Sequence, residues 1–347
     1  MQGCRPHRLC ALGRVAVDSA IPQRRLNQTM QKLFFITRPL LKLLCGLTLS
    51  WSLVGCVSVE NTLSSWAING ERALASVEKK QISVGEFELS YLEGGQGDTV
   101  FLIHGFESNK DIWIRFAAQL TKHYHVIAID LPGHGDSTIL MTQSYSVSEQ
   151  ALRVIALMDA LHLMQPVHLL GHSMGGAIAY HVAANAPARV KSLGLMSAAG
   201  VVSGRPSELF MRLQHGENPL IAHDTQSFKD LLAFTMSDPP YIPGPVIASL
   251  TRTAIAREAI ASKIFTEIRP PYSRELETLQ AKISMPTLLI WGDKDRAVDV
   301  SSTEVFTHLI PQAQLVIFKD VGHAPQLERT KETAIAYQAF LAGVKPN

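Results

Sequence analysis

The stretch Gly171-His172-Ser173-Met174-Gly175 constrains this chain more than any other, because of what lies on either side of it. The apolar run 167–170 comes directly before it and a helix-period stretch, 174–186, directly after. A serine so placed sits on a tight strand-to-helix turn, and a side chain two residues to either side would collide with neighbouring backbone, which glycine avoids. Such a turn needs a sheet beneath it and a helix behind it, so the feature points to an α/β architecture. It also lifts the Ser173 hydroxyl clear of the sheet. The first backbone N–H groups of the helix, notably that of Met174, then face any negative charge that develops beside it.

The rest of the chain repeats the pattern. Apolar runs at 99–104, 126–130, 190–197, 287–291 and 315–318 read as buried strands, and 81–92 alternates as an opening hairpin. Between them, 112–120, 147–161, 300–310 and 330–341 carry apolar residues at helical spacing. The expected fold class is therefore α/β, a mostly parallel twisted sheet with helices on both faces. One stretch breaks the alternation: 201–282 stays helical in pattern without a strand and holds eight prolines. We expect a helical cap there, inserted into a core made of 81–200 and 283–347. It is rich in apolar side chains, among them Phe210, Phe228, Phe234, Met236 and Tyr241. Most of these must form the cap's own small core. Phe210 and Tyr241 are expected to line a substrate pocket together with Phe106 and Met174.

A serine hydroxyl is a weak nucleophile unless a base takes its proton during attack. Gly322-His323 follows the 315–318 strand after a short loop, which hangs the imidazole near the sheet edge and makes His323 the expected base. His162, His168, His181 and His308 flank or lie within regular elements. His172 is expected to pack or hydrogen-bond rather than react. The acid partner belongs after the preceding strand, where Asp293, Asp295 and Asp299 compete. Asp295 is preferred, since the turn at Gly292 brings it just past the strand end, and the other two suit turn or capping roles. Asp130 reads as structural. For the oxyanion, the N–H of Phe106 after His104-Gly105 should join that of Met174; losing one such donor costs roughly 3–4 kcal/mol.

All four cysteines, Cys4, Cys10, Cys45 and Cys56, lie in the first 56 residues, so the body has no thiol for catalysis, zinc or a disulfide, and no metal or cofactor is expected. The formal net charge of +2 misleads, because residues 1–56 hold eight Lys or Arg against Asp18 alone. From totals of 32 basic and 30 acidic residues, 57–347 keep 24 and 29, or −5. No basic run with interleaved aromatics remains, which removes nucleic acid as a partner. The uncharged, mostly apolar run 43–59 follows Lys32, Arg38 and Lys42, the layout of an export signal. It includes Leu53-Val54-Gly55-Cys56, a lipobox-like string that would make Cys56 the lipidated first residue of the mature protein. Met30 suits such a signal better as a start than Met1. An uncleaved membrane helix is the alternative, the run being near the short end of the roughly 17–25 residues that span a bilayer. Either way the enzyme would be exported and membrane-tethered on a bacterial envelope, with Val57 favouring the outer membrane. Residues 57–80 read as a linker or a weakly amphipathic helix.

Taken together, His104-Gly105-Phe106, Gly133-His134-Gly135-Asp136-Ser137, Gly171 to Gly176, Trp291 to Asp295 and Gly322-His323 resemble the α/β-hydrolase superfamily across residues 80–345. More narrowly, Ile103 to Phe106 with Asn109-Lys110-Asp111, Pro239-Pro240-Tyr241 with Pro243, and Ile310-Pro311-Gln312-Ala313-Gln314 resemble the cold-active family V bacterial lipases. The mammalian membrane-bound monoacylglycerol lipases look similar too. The resemblance implies acylglycerols or related lipid esters as substrates, and acyl transfer through Ser173. A carbon–carbon bond hydrolase with the same triad and a non-catalytic hydrolase-fold receptor are the competing readings. Haloalkane dehalogenases and epoxide hydrolases are disfavoured, because they need a carboxylate where Ser173 stands.

Overall fold

The structure, a computed structural model, describes residues 59–268, 279 and 283–345. The chain divides between Val59 and Glu60, and the unit that begins at Glu60 carries the sheet and its helices. Helix α1 (59–74) leads into the antiparallel hairpin β1 (Val77–Val84) and β2 (Phe87–Gly94). Then come β3 (Thr99–Ile103), α2 (Ile114–Leu120), β4 (His125–Ile129), α3 (Val147–Ala160), β5 (Val167–His172), α4 (Met174–Asn185) and β6 (Val190–Met196). Helices α5 (Glu208–Gln214), α6 (Thr225–Thr235), α7 (Gly244–Ala256) and α8 (Glu258–Ile268) precede β7 (Thr287–Gly292). The chain closes with α9 (Ser302–Leu309), β8 (Gln314–Phe318), the short α10 (Pro325–Glu328) and α11 (Thr330–Ala342).

Among the described residues the strands form one sheet in the order β1-β2-β4-β3-β5-β6-β7-β8. β2 pairs antiparallel with β1 and β4, and every other pairing is parallel. The alternation of side chains along a strand divides the interior in two. Phe101, Ile103, Ile127, Leu169 and Leu289 pack with α3, α4 and α9. Val100, Leu102, Val126, Leu170 and Leu288 pack with α2 and α11 on the other face. A parallel sheet covered on both sides needs apolar residues at consecutive positions, which is why these strands read as unbroken runs.

Of the segment read as a linker or a weakly amphipathic helix, the described residues 59–80 are in regular structure. They form α1 and then the start of β1, with Ser64, Ala75 and Val77 buried. Ile68, Ala75 and Val77 pack with the core, and charged pairs, Arg72 to Asp111 at 2.7 Å and Arg115 to Glu71, add to the docking. The expected helix at 112–120 opens with a tighter turn, Lys110–Trp113, before α2.

Candidate active site

β5 ends at His172, and Ser173 stands at the mouth of α4 with φ 56° and ψ −119°. A non-glycine residue held there stores on the order of 1–3 kcal/mol of strain, which the surroundings must hold in place. They do so through backbone: the Ser173 N–H donates to the Met196 carbonyl at 2.9 Å, and the Ser173 carbonyl accepts from Ala199 at 3.0 Å. The flanking glycines are required by contact. A Cβ on Gly171 would lie 2.0 Å from the Gly175 carbonyl oxygen, and one on Gly175 would lie 2.4 Å from that of His104. Met174 is buried at the first position of the helix.

Beyond β7 the buried Asp295 carboxylate accepts the N–H groups of Ala297 at 2.9 Å and Val298 at 2.8 Å through Oδ1. Its Oδ2 lies 2.8 Å from Nδ1 of the buried His323. A carboxylate accepts here, so Nδ1 carries the imidazole proton and Nε2 keeps its lone pair for a substrate-side proton. Of the three candidate carboxylates, Asp293 instead accepts from the Asp320 N–H, and Asp299 accepts from Ser301 and pairs with Arg205.

His172 ties this loop to the elbow. Its Nε2 lies 2.7 Å from the His323 carbonyl, and the two rings are 4.9 Å apart. A carbonyl can only accept, so Nε2 is the protonated nitrogen. Burial, with His323 nearby, pushes the His172 imidazole down to about 3, which keeps it neutral. Gly105 closes the other side: a Cβ there would lie 3.0 Å from the Ser173 Cβ and 3.1 Å from His172 Nδ1.

The loop after β3 is set by His104, which burial pushes down to about 3. Its two nitrogens face the Gly105 carbonyl at 2.7 Å and the Leu131 N–H at 3.1 Å, so Nδ1 donates to the first and Nε2 accepts from the second. In a trans peptide the carbonyl and the N–H point opposite ways, so turning the Gly105 carbonyl toward His104 aims the Phe106 N–H away from it. The Phe106 ring is half-buried and packs on Phe265 of α8 with centroids 5.4 Å apart. Glu107 follows with φ 49°, its largely buried carboxylate 3.6 Å from Arg257, and burial pushes its pKa up.

Of the residues expected to line a pocket, Phe106, Met174 and the half-buried Phe210 on α5 are compatible with one. Tyr241 is not: it is 83 % exposed, because Pro239, Pro240 and Pro243 carry its segment outside regular structure. Cys56 lies outside the described residues. Among the described residues no cluster of His, Cys, Asp and Glu could hold a metal ion, and no helix is long and apolar enough to cross a membrane. Sequence reasoning missed three buried or partly buried groups around the site. Lys110 bridges Asp130 and Asp136 at 2.8 Å each, Arg257 faces Glu107 from the insertion, and Glu328 contacts the backbone on both sides of His323.

Residues 100–336 match the alpha/beta hydrolase family. Lipase 3 of Moraxella sp. (strain TA144) is 37 % identical over 303 residues, 85 % of this chain and 96 % of that protein. Monoacylglycerol lipase ABHD6 of Rattus norvegicus is 30 % identical over 259 residues, 72 % of this chain and 77 % of that one. Among solved structures, a membrane phospholipase A described as a bacterial virulence factor superposes with a TM-score of 0.82 at 43 % identity. The match covers 88 % of this chain and 99 % of that one.

Proposed function

This chain belongs to the alpha/beta hydrolase family, and from that premise we propose that it is a serine lipase or esterase cleaving carboxylic esters of acylglycerols or similar lipids. The observation that carries this reading is the Asp295–His323 pair at 2.8 Å, hydrogen-bonded through His172 to the elbow bearing Ser173. The similarity to lipases over most of the chain supports the substrate class.

Ser173 Oγ attacks the ester carbonyl while His323 Nε2 takes its proton, and Asp295 stabilises the imidazolium that forms. The carbonyl π electrons move onto oxygen, and the resulting oxyanion is bound by the N–H groups of Phe106 and Met174. Collapse expels the alcohol, which receives the proton from His323 and leaves an acyl-Ser173 ester. Water, deprotonated by the same imidazole, then attacks that ester to release the acid and restore Ser173. No step uses a metal or cofactor. The insertion serves as a cap, with Phe106, Met174 and Phe210 lining the acyl pocket.

The enzyme works at a membrane surface, tethered through a lipid on Cys56 or an uncleaved helix upstream of α1. Support comes from α1 itself, where Val59, Leu63 and Trp66, spaced for one helical face, are exposed. A tryptophan on such a stripe suits the boundary between headgroups and acyl chains. Cys56→Ser should release the mature protein from membranes if acylation is the anchor; unchanged retention points to the helix.

The test of the activity is hydrolysis of p-nitrophenyl esters from acetate to palmitate, and of mono- and triacylglycerols, by wild type and Ser173→Ala. Cleavage of medium or long esters is expected, lost by several orders of magnitude (about 10⁶-fold at most) in the variant. Equal activity in both proteins, or none on any ester, contradicts the reading.

A further inference from the structure

We propose that Glu328 is a positioning residue that locks the cap to the loop carrying His323, so that the base is held in place from the cap side as well as by Asp295. The proposal rests on the hydrolase reading. Glu328 closes α10 and is 8 % exposed. Its Oε1 accepts the N–H groups of Gly322 at 3.0 Å and Ala324 at 3.3 Å, the residues on either side of His323. Its Oε2 accepts those of Ser237 at 2.7 Å and Asp238 at 2.9 Å, which follow the last turn of α6 in the cap. The intervening N–H, that of His323 itself, donates to the carbonyl of Thr235 in α6 at 2.7 Å.

Three consecutive backbone donors are thus taken up by the cap or by a carboxylate shared with the cap. The His323 carbonyl is in turn held by His172. The approach is close enough to need glycine: a Cβ on Gly322 would lie 2.8 Å from the Thr235 oxygen and 2.9 Å from the Ser237 nitrogen. All the groups aimed at Glu328 are donors, and hydrogen bonds to an ionised acceptor are the stronger kind. A neutral amide of the same shape cannot replace it. Glutamine would turn its NH₂ toward either the His323 loop or the cap, setting donor against donor on one side. The 235–238 segment and the base loop therefore behave as one body, and any opening of the cap must take place elsewhere.

Glu328→Gln tests this beside Arg329→Ala, which removes the surface pair between Arg329 and the same Asp238 at 2.7 Å and a bond to the Glu328 carbonyl, but none of the contacts of the Glu328 carboxylate. In Glu328→Gln, kcat on a p-nitrophenyl ester should fall about 10- to 100-fold with KM within about twofold, since misplacing a catalytic group by about 1 Å can cost 10²-fold. The rate of phosphonylation of Ser173 by a fluorophosphonate should fall in parallel. The far-downfield proton resonance of His323 Nδ1 should broaden or vanish, while Arg329→Ala keeps all three at wild-type values. A lowered melting temperature with unchanged kcat per folded molecule would overturn the proposal, as would a rise in KM at constant kcat. Should the variant not fold, amide exchange in the wild type decides: Gly322, Ala324, Ser237 and Asp238 should exchange at a common rate, and cap amides exchanging far faster than the loop would refute the lock. If wild type neither cleaves esters nor takes the phosphonate, the hydrolase reading fails, whereas the exchange pattern still reports on Glu328.

Discussion

The sheet core and the helices described between β6 and β7 are held by different interactions. In the core, consecutive residues of β3, β5 and β7 are buried, and packing against helices on both faces fixes the positions of these strands. The insertion buries little of itself: α5 has no buried residue, and α6 and α7 have two each. Many of its contacts with the core are polar. Arg296 pairs with Glu208 at 2.6 Å, Arg257 reaches Glu107 and the Gly133 carbonyl, Glu267 accepts from Ser144 and Tyr145, and Glu328 accepts from Ser237 and Asp238. Ile260, Ile264, Phe265 and Ile268 of α8, with Val201 and Leu279, add apolar contacts. The triad residues thus come from the core, while the insertion is attached largely by bonds that can be retuned one at a time, those that reach the His323 loop included.

The largest effect should come from the core's chemistry. Asp295→Asn keeps the shape but leaves His323 Nδ1 facing an amide, and kcat should fall about 10⁴-fold, as expected when the tautomer is set wrongly. A loss below tenfold would remove Asp295 from the site. Next comes core geometry. Gly175→Ala places a methyl 2.4 Å from the His104 oxygen and 2.5 Å from that of Ile103, both backbone. Overpacking against backbone should lower stability by about 3 kcal/mol and slow hydrolysis by displacing the Gly105 loop; an unchanged melting temperature would mean that the elbow is looser than these contacts require.

On the insertion side, Arg257→Met leaves the largely buried Glu107 without its cation. Glu107 can escape by taking a proton, since burial already pushes its pKa up, so the loss should be about 1–3 kcal/mol rather than the full cost of a stranded charge. Chemical denaturation checks this, and a larger loss would show that the insertion is held more tightly than its contacts imply.

Acid also separates the two regions. Burial pushes His104 and His172 down to about 3 and His168 to about 4, all in the core, whereas His215 and His223 of the insertion are exposed. With the folded values depressed, the unfolded chain binds these protons first. Stability is therefore full above about pH 6.5 and is lost as pH falls toward 3–4, each histidine contributing up to about 1.4 kcal/mol per pH unit. The buried carboxyls of Asp130 and Glu107, pushed up, act in the opposite sense and flatten the lower part of that slope. A melting temperature that rises on acidification from pH 6.5 would contradict this balance.

The same contrast explains what the sequence made legible. The sheet could be read because a strand buried on both faces writes its burial as adjacent apolar letters; β5, β6 and β7 lie within one or two residues of the runs that announced them. Ser173, Asp295 and His323 were singled out by their places after strands in chain order, and the structure joins Asp295 to His323 at 2.8 Å. Glu328 and Arg257 were not found, since a carboxylate that accepts backbone N–H groups from a distant segment leaves no periodic trace. The 59–74 segment stayed between a linker and a weakly amphipathic helix, because charged pairs share its docking with few apolar residues, and Tyr241 was assigned to a pocket on residue type alone.

The most direct measurement is peptide mass analysis after reaction with a fluorophosphonate, on wild type and His323→Ala. A single phosphonyl adduct on Ser173 is expected in folded wild type, absent after heat denaturation and slower by about 10²–10⁴-fold in the variant, the range a general base supplies. No adduct, or one on another residue at the same rate in both proteins, would contradict a hydrolase that works through Ser173.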